Sequence, residues 1–286
     1  MRAGWFSRTD MRVLGQFVLR FALPALLFTM LARRSVAEIF DARFLLAYLG
    51  GSLIALTIGW FYARRKGGAS YRAFVAMGMS FSNSGYVGVP VLLPWLGPPA
   101  AVAIALAMMV ENLIMLPLVL TLAERDGARR ASVAAALRDT ATTLLRHPLV
   151  LAIAAGVAVA ALGLALPAPL QRAVDLMAQA AAAVALFVIG GSLVGLQLQG
   201  QRLDLAAVAV GKLVLHPLAV AALAWWLLAD NTLLRTAAIA LAAMPMLGIY
   251  PVLAQRHGHE GFCAAALLVT TVASFFTLSG LLWWLA

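Results

Sequence analysis

Long apolar stretches alternate along the chain with short connections that carry most of its charged side chains. A helix needs about 20 apolar residues to cross the hydrocarbon core of a bilayer, so the charge-poor windows count candidate spans. Nine emerge, at about 13–32, 44–63, 71–96, 99–123, 148–166, 176–196, 205–228, 234–255 and 261–286; in chain order they are A to I. The stretch from Ala73 to Val110 has no charge at all and is too long for one helix, so it divides at Gly97-Pro98-Pro99.

C and H are unlike the others. C contains Ser82-Asn83-Ser84-Gly85-Tyr86-Val87-Gly88-Val89-Pro90, and H contains Met244-Pro245-Met246-Leu247-Gly248-Ile249-Tyr250-Pro251. Proline removes a helical N–H and crowds the preceding turn, and glycine loosens the backbone, so neither run sustains an unbroken helix. Unpaired backbone groups cost several kcal/mol each in hydrocarbon, so such breaks persist only where protein or a watery cavity shields them. C is third in A–D and H is third in F–I, five spans apart, so the two series run in opposite directions. That is the pattern of an inverted repeat with paired discontinuous helices, an architecture of secondary transporters. The division is 1–123 for the first repeat (broken helix about 71–96), 124–147 for a linker, and 148–286 for the second repeat (broken helix about 234–255). The linker holds an amphipathic stretch, 132–145, suited to the membrane surface. The expected fold is an all-α polytopic membrane protein.

Composition agrees. Hydrophobic residues make up 64% and charged residues 11% of the 286, too little charge to coat a water-facing surface. The net charge of +10 would suggest nucleic acid in a soluble chain; here it resides in loops and nucleic acid is not an expected partner. Arg2, Arg8, Arg12, Arg64, Arg65, Lys66, Arg72, Arg125, Arg129, Arg130, Arg138, Arg146, Arg202 and Arg256, fourteen cations, fall on one side, against five on the other, Arg33, Arg34, Arg43, Arg172 and Arg235. The positive-inside rule puts the richer side and Met1 in the cytoplasm and Ala286 outside. The single cysteine, Cys263, rules out an internal disulfide framework and multi-cysteine metal sites.

Ser80 to Pro90, with Leu96-Gly97, resembles the first crossover helix of the auxin efflux carrier family. Phe21–Phe28, the stretch from Leu145 to Val150, Ala185–Leu193, Ala243-Met244-Pro245 and Thr270–Ser274 resemble other helices of that family in the same order. Within it the chain is most similar to bacterial malonate-type permeases. The resemblance implies ten helices, five plus five, of which this sequence matches all but the first. It further implies an elevator-like division, in which A, E and F belong to a dimerising scaffold and the other six spans carry substrate. The implied setting is the bacterial inner membrane, and a homodimer is the expected assembly.

The candidate site residues divide by depth along the spans. Asn83 either binds substrate or caps the broken helix locally. Ser82, Ser84 and the N–H groups around Gly85 suit a carboxylate at a half-helix N-terminus, with Pro90 shaping the break. Pro245, Gly248, Tyr250 and Pro251 shape the opposing break, where the Tyr250 hydroxyl is a further candidate. Glu111 and Asn112 lie near the centre of D, and an ionisable group there is a functional candidate; Glu111 either carries a coupling proton or is a hydrogen-bonded structural group. Lys212 snorkels to the interface, pairs with Glu111 or attracts an anion. His216 is either a packed polar residue or a proton carrier. Arg20 is expected to snorkel, and Thr270, Thr271 and Ser274 either line the cavity or pack helices. His257 and His259 read as loop residues rather than a metal site. No Walker or GxGxxG phosphate loop is present, so ATP hydrolysis is not expected, and the reading as a transporter calls for no cofactor and no catalytic residue.

The expected function is secondary transport of a small mono- or dicarboxylate, coupled to protons or sodium. The alternatives are a sodium-coupled bile-acid-type symporter, a non-transporting membrane sensor, and an intramembrane hydrolase using Ser192 with His216.

Overall fold

Ser7 opens the first helix with a reciprocal cap: its backbone N–H donates to the Asp10 carboxylate at 2.7 Å, and the Asp10 N–H donates to the Ser7 hydroxyl at 3.2 Å. Asp41 caps the next span by accepting from the N–H groups of Arg43 and Phe44, and Asn231 caps a later one by accepting from Leu234 N–H. This computed structural model describes residues 6–33, 41–97, 99–124, 148–193 and 202–285. Every regular element among them is a helix. They are α1 (Thr9–Ala32), α2 (Ala42–Arg65), α3 (Ala69–Ser80), α4 (Val89–Leu96), α5 (Ala100–Ala123), α6 (Pro148–Leu162), α7 (Ala168–Leu193), α8 (Arg202–Leu227), α9 (Thr232–Ala243), α10 (Tyr250–Gln255) and α11 (Glu260–Leu285). Six helices among the described residues are long and apolar enough to cross a membrane, and α6 and α9 are shorter apolar helices. The amphipathic stretch 132–145 and the Ser192 side chain lie outside the described residues.

Two of the expected boundaries move. α6 stops at Leu162, where Gly163 takes a left-handed φ of 60° that glycine adopts without strain, and Pro167 lies just beyond. α7 begins at Ala168, earlier than the charge-poor window, because a turn carrying Gln171, Arg172 and Asp175 stays helical. Charge marks the limit of an apolar window, not of a helix.

Prolines leave a regular imprint on the spans. Helical turns widen at Val18–Ala22, Ser84–Gly88, Val110–Met115 and Gly211–Leu215. A proline follows each widened turn by two residues: Pro24, Pro90, Pro117 and Pro217. A proline ring has no N–H to give and collides with the carbonyl four residues back, and a widened turn relieves both problems. In three of them the backbone N–H closing the turn reaches back five residues: Leu23 to Val18, Leu116 to Glu111, and His216 to Gly211.

The exterior is apolar and much of the polarity is inside. Trp226, Leu218, Phe275 and Phe276 are exposed, whereas Ser82, Ser84, Asp204, Lys212 and His216 have no solvent exposure. That inversion of the soluble pattern suits a lipid surround. The helices sort into two packed groups. α6 and α7 both pack on α1, with Arg33 donating to Asp175 at 2.8 Å. α2 packs closely on α8 and α3, and α3, α5, α9 and α11 complete the second group. Close approach there depends on glycine: a methyl on Gly51 would sit 2.7 Å from Val220 backbone, and one on Gly59 would sit 2.7 Å from Ala76 Cα. A hydrogen bond from the Tyr86 hydroxyl to the Gly15 carbonyl, 2.8 Å long, crosses between the groups.

Candidate functional site

Two helices are interrupted, one just ahead of Gly85, with Pro90 inside the resumed helix rather than in the break, and one across Pro245 and Gly248. α3 ends at Ser80, residues 81–83 are non-helical, and helix resumes at Ser84. α9 ends at Ala243, and helix resumes at Tyr250. The two interruptions meet. The Asn83 N–H donates to the Pro245 carbonyl at 2.8 Å, so an orphan donor of one break satisfies an orphan acceptor of the other.

The Asn83 side chain faces both breaks. Its Oδ1 accepts the Tyr86 N–H at 3.1 Å and so caps the resumed helix. Its Nδ2 has no hydrogen-bond partner among the described residues and lies 3.7 Å from where a Cβ on Gly248 would stand. The two roles weighed for Asn83 are therefore compatible: one end of the amide caps and the other remains available.

Glu111 and Lys212 belong to one buried polar cluster around this crossing. The Glu111 carboxylate accepts the Tyr48 hydroxyl at 2.7 Å and the Ser84 hydroxyl at 2.6 Å. Lys212 Nζ donates to Ser82 Oγ at 3.0 Å, to His216 Nδ1 at 3.0 Å and to the Ala242 carbonyl. Its three N–H groups are thus all engaged, and it is buried rather than snorkelling. With Nδ1 accepting, the His216 ring proton lies on Nε2, which reaches Ser52 Oγ at 3.0 Å. The Tyr48 and His216 rings are 6.0 Å apart, connecting the two halves of the cluster. Among the described residues no direct ion pair joins Glu111 to Lys212; hydroxyls fill the acceptor and donor positions that such a pair would use.

Several singled-out residues lie outside this cluster or turn away from it. The Tyr250 hydroxyl donates to the Phe74 carbonyl at 2.6 Å, in a gap that Gly78 leaves open. Asn112 Nδ2 donates to the Met108 carbonyl of its own helix. Thr270 and Thr271 bond the Ala266 and Leu267 carbonyls, and Ser274 bonds Thr271. Gly85 packs toward Leu23 and Met108, while Pro90 and Pro251 sit in the first turns of α4 and α10. Tyr48 and Ser52 were not foreseen. They stand four residues apart on one face of α2, a spacing that signals a shared polar face on an otherwise apolar span.

Ionic clusters stand at the helix ends. Asp204 accepts from Lys66, from Tyr62 at 2.8 Å and from Tyr71 at 2.6 Å, and this carboxylate holds the Lys66 ammonium above its ordinary pKa. Near Asn231, Arg43 donates to Asp230 at 2.8 Å and holds that carboxyl below its ordinary range. Among the described residues no group of three or more His, Cys, Asp or Glu is placed to hold a metal ion.

The two interruptions and the buried polar cluster thus adjoin at one place in the fold. The sequence model of a family described as "Membrane transport protein" matches residues 1–282. A protein of Rhizobium meliloti (strain 1021) named "Putative malonate transporter" is 33% identical over 277 residues, covering 94% of this chain and 85% of that protein. The chain therefore belongs to this membrane transport protein family, that of the auxin efflux carriers its motifs resemble.

Proposed function

We propose that this chain is a secondary transporter of a small organic anion, a mono- or dicarboxylate such as malonate, in the bacterial inner membrane. Substrate binds between the two interrupted helices, which act as the crossover helices of an inverted repeat. The observation that carries this reading is the Asn83–Pro245 backbone bond, which joins the breaks and leaves Asn83 Nδ2 beside Gly248. An amide N–H₂ donates to a carboxylate, and the N-terminal end of the resumed helix at Ser84 adds a favourable dipole. Malonate enters as the named substrate of the Rhizobium relative.

The packing supports an elevator-like cycle, in which the group containing the site moves against α1, α6 and α7. Glu111, buried beside the crossing and adjoining Ser84, is the proposed proton carrier. A homodimer formed through the α1, α6 and α7 group fits the same division. The test is uptake of a labelled carboxylate panel into proteoliposomes holding the purified protein. Saturable uptake of a three- or four-carbon carboxylate supports the proposal, and no uptake of any member under imposed pH or sodium gradients contradicts it.

A further inference from the structure

Lys212 is the one fully buried cation among the described residues, and it is placed where both interruptions can be reached at once. Ser82, which accepts from it at 3.0 Å, lies in the non-helical stretch that follows α3. The Ala242 carbonyl, a second acceptor, lies in the last turn of α9, where carbonyls have no partner within their own helix. The negative end of the helix dipole points at that carbonyl and favours a cation there. In transporters with broken helices, unwound carbonyls and half-helix C-termini are the positions that hold a coupling cation.

We propose that the Lys212 ammonium is a built-in cation that occupies this position and locks the two interruptions together, in place of a mobile ion. The proposal deepens the transporter reading and rests on it for the word coupling, but the occupancy itself does not. The third acceptor distinguishes an ammonium from an alkali ion. His216 Nδ1 offers a single nitrogen lone pair at 3.0 Å, which matches an N–H donor, whereas sodium takes oxygen ligands. The His216 ring is in turn held by Ser52 at 3.0 Å, so the acceptor is oriented by its other nitrogen. Glu111 lies on the other side of the crossing, bonded to Ser84, two residues from Ser82. The lysine is thus a tethered ion with a complete set of three acceptors.

The experiment follows thermal unfolding of the purified full-length protein in detergent, read by tryptophan fluorescence. Wild-type Tm is expected to be the same in sodium, potassium and choline chloride at equal ionic strength. Lys212→Ala is expected to lower Tm by about 5–10 °C, since three acceptors lose their partner. Propylammonium, which replaces the deleted part of the side chain, should restore most of that loss saturably. Lys212→Met keeps the stem and fills the space, so its Tm should fall and propylammonium should leave it unchanged. A saturable rise of wild-type Tm with sodium over choline would overturn the proposal. So would a wild-type Tm in Lys212→Met, or an identical propylammonium response in the two variants. Should both variants fail to purify, the wild-type sodium comparison still decides. No arm needs a substrate, so failure of the anion-transport reading would be recognised separately, by the carboxylate panel.

Discussion

Replacing Glu111 by Gln isolates proton carriage from shape. Glutamine keeps an oxygen that can accept the Tyr48 and Ser84 hydroxyls, which lie at 2.7 and 2.6 Å from the native carboxylate. Hydrogen bonds to a charged group contribute about 1.5–3 kcal/mol each and those to a neutral one about 0.5–1.5, so the change costs roughly 2–3 kcal/mol over the two bonds. The loss is tolerable because the surrounding spans are unaltered, and Glu111→Gln should insert and purify. Its effect on transport should be selective. A gradient of about one pH unit stores about 1.4 kcal/mol per proton, enough for roughly tenfold accumulation at one proton per substrate. Proteoliposomes with wild-type protein should reach that ratio, while the variant should equilibrate labelled carboxylate and stop near unity. Substrate exchange at equal concentrations on both sides should persist. Wild-type accumulation by Glu111→Gln would refute the assignment, and loss of exchange together with accumulation would point to a structural role.

Three further outcomes follow from the packing. Tyr86→Phe removes the bond to the Gly15 carbonyl between the helix groups; at about 1 kcal/mol for such a bond, the transport rate should change by up to about fivefold with the substrate KM unaltered. Gly51→Ala should lower stability by about 1–3 kcal/mol, visible as a reduced Tm, because the added methyl meets Val220 backbone at 2.7 Å and forces the two helices apart. In a Cys263→Ala background, cysteines at Arg65 and Arg256 should react with a membrane-impermeant reagent only from the cytoplasmic side, and those at Arg172 and Asp230 only from outside; reaction of Arg65 and Asp230 positions from one face would break the proposed orientation.

The all-helical, apolar character of the fold was legible because long apolar runs are written directly in one dimension. The interruption at Met244–Ile249 contains Pro245 and Gly248 as predicted, whereas the first, at Phe81–Asn83, falls just ahead of Gly85, and Pro90 lies in the resumed helix. Asn83, Glu111 and Lys212 stood out as polar groups within apolar runs, and all three are buried. Rotation about the helix axis was not legible. Lys212 at its depth could snorkel or turn inward, and only the packing of α8 against the two breaks decides for the interior. Tyr250 looked available until Gly78 opened a gap that brings its hydroxyl to the Phe74 carbonyl. Tyr48 and Ser52 sit in a span with no break and no charge in its middle, so their place in the cluster follows only from which face of α2 meets α5 and α8.

The central claim is that a carboxylate binds at the meeting of the interruptions, with Asn83 donating to it. Equilibrium binding of labelled malonate and its three- and four-carbon analogues to purified wild-type protein and to Asn83→Ala tests it most directly. Circular dichroism should first establish equal helix content in the two proteins. Saturable binding by the wild type to at least one of these anions is expected, with a loss of at least about tenfold in affinity on removing the amide, which corresponds to about 1.4 kcal/mol. Binding of that anion by folded Asn83→Ala with an unchanged Kd would contradict it.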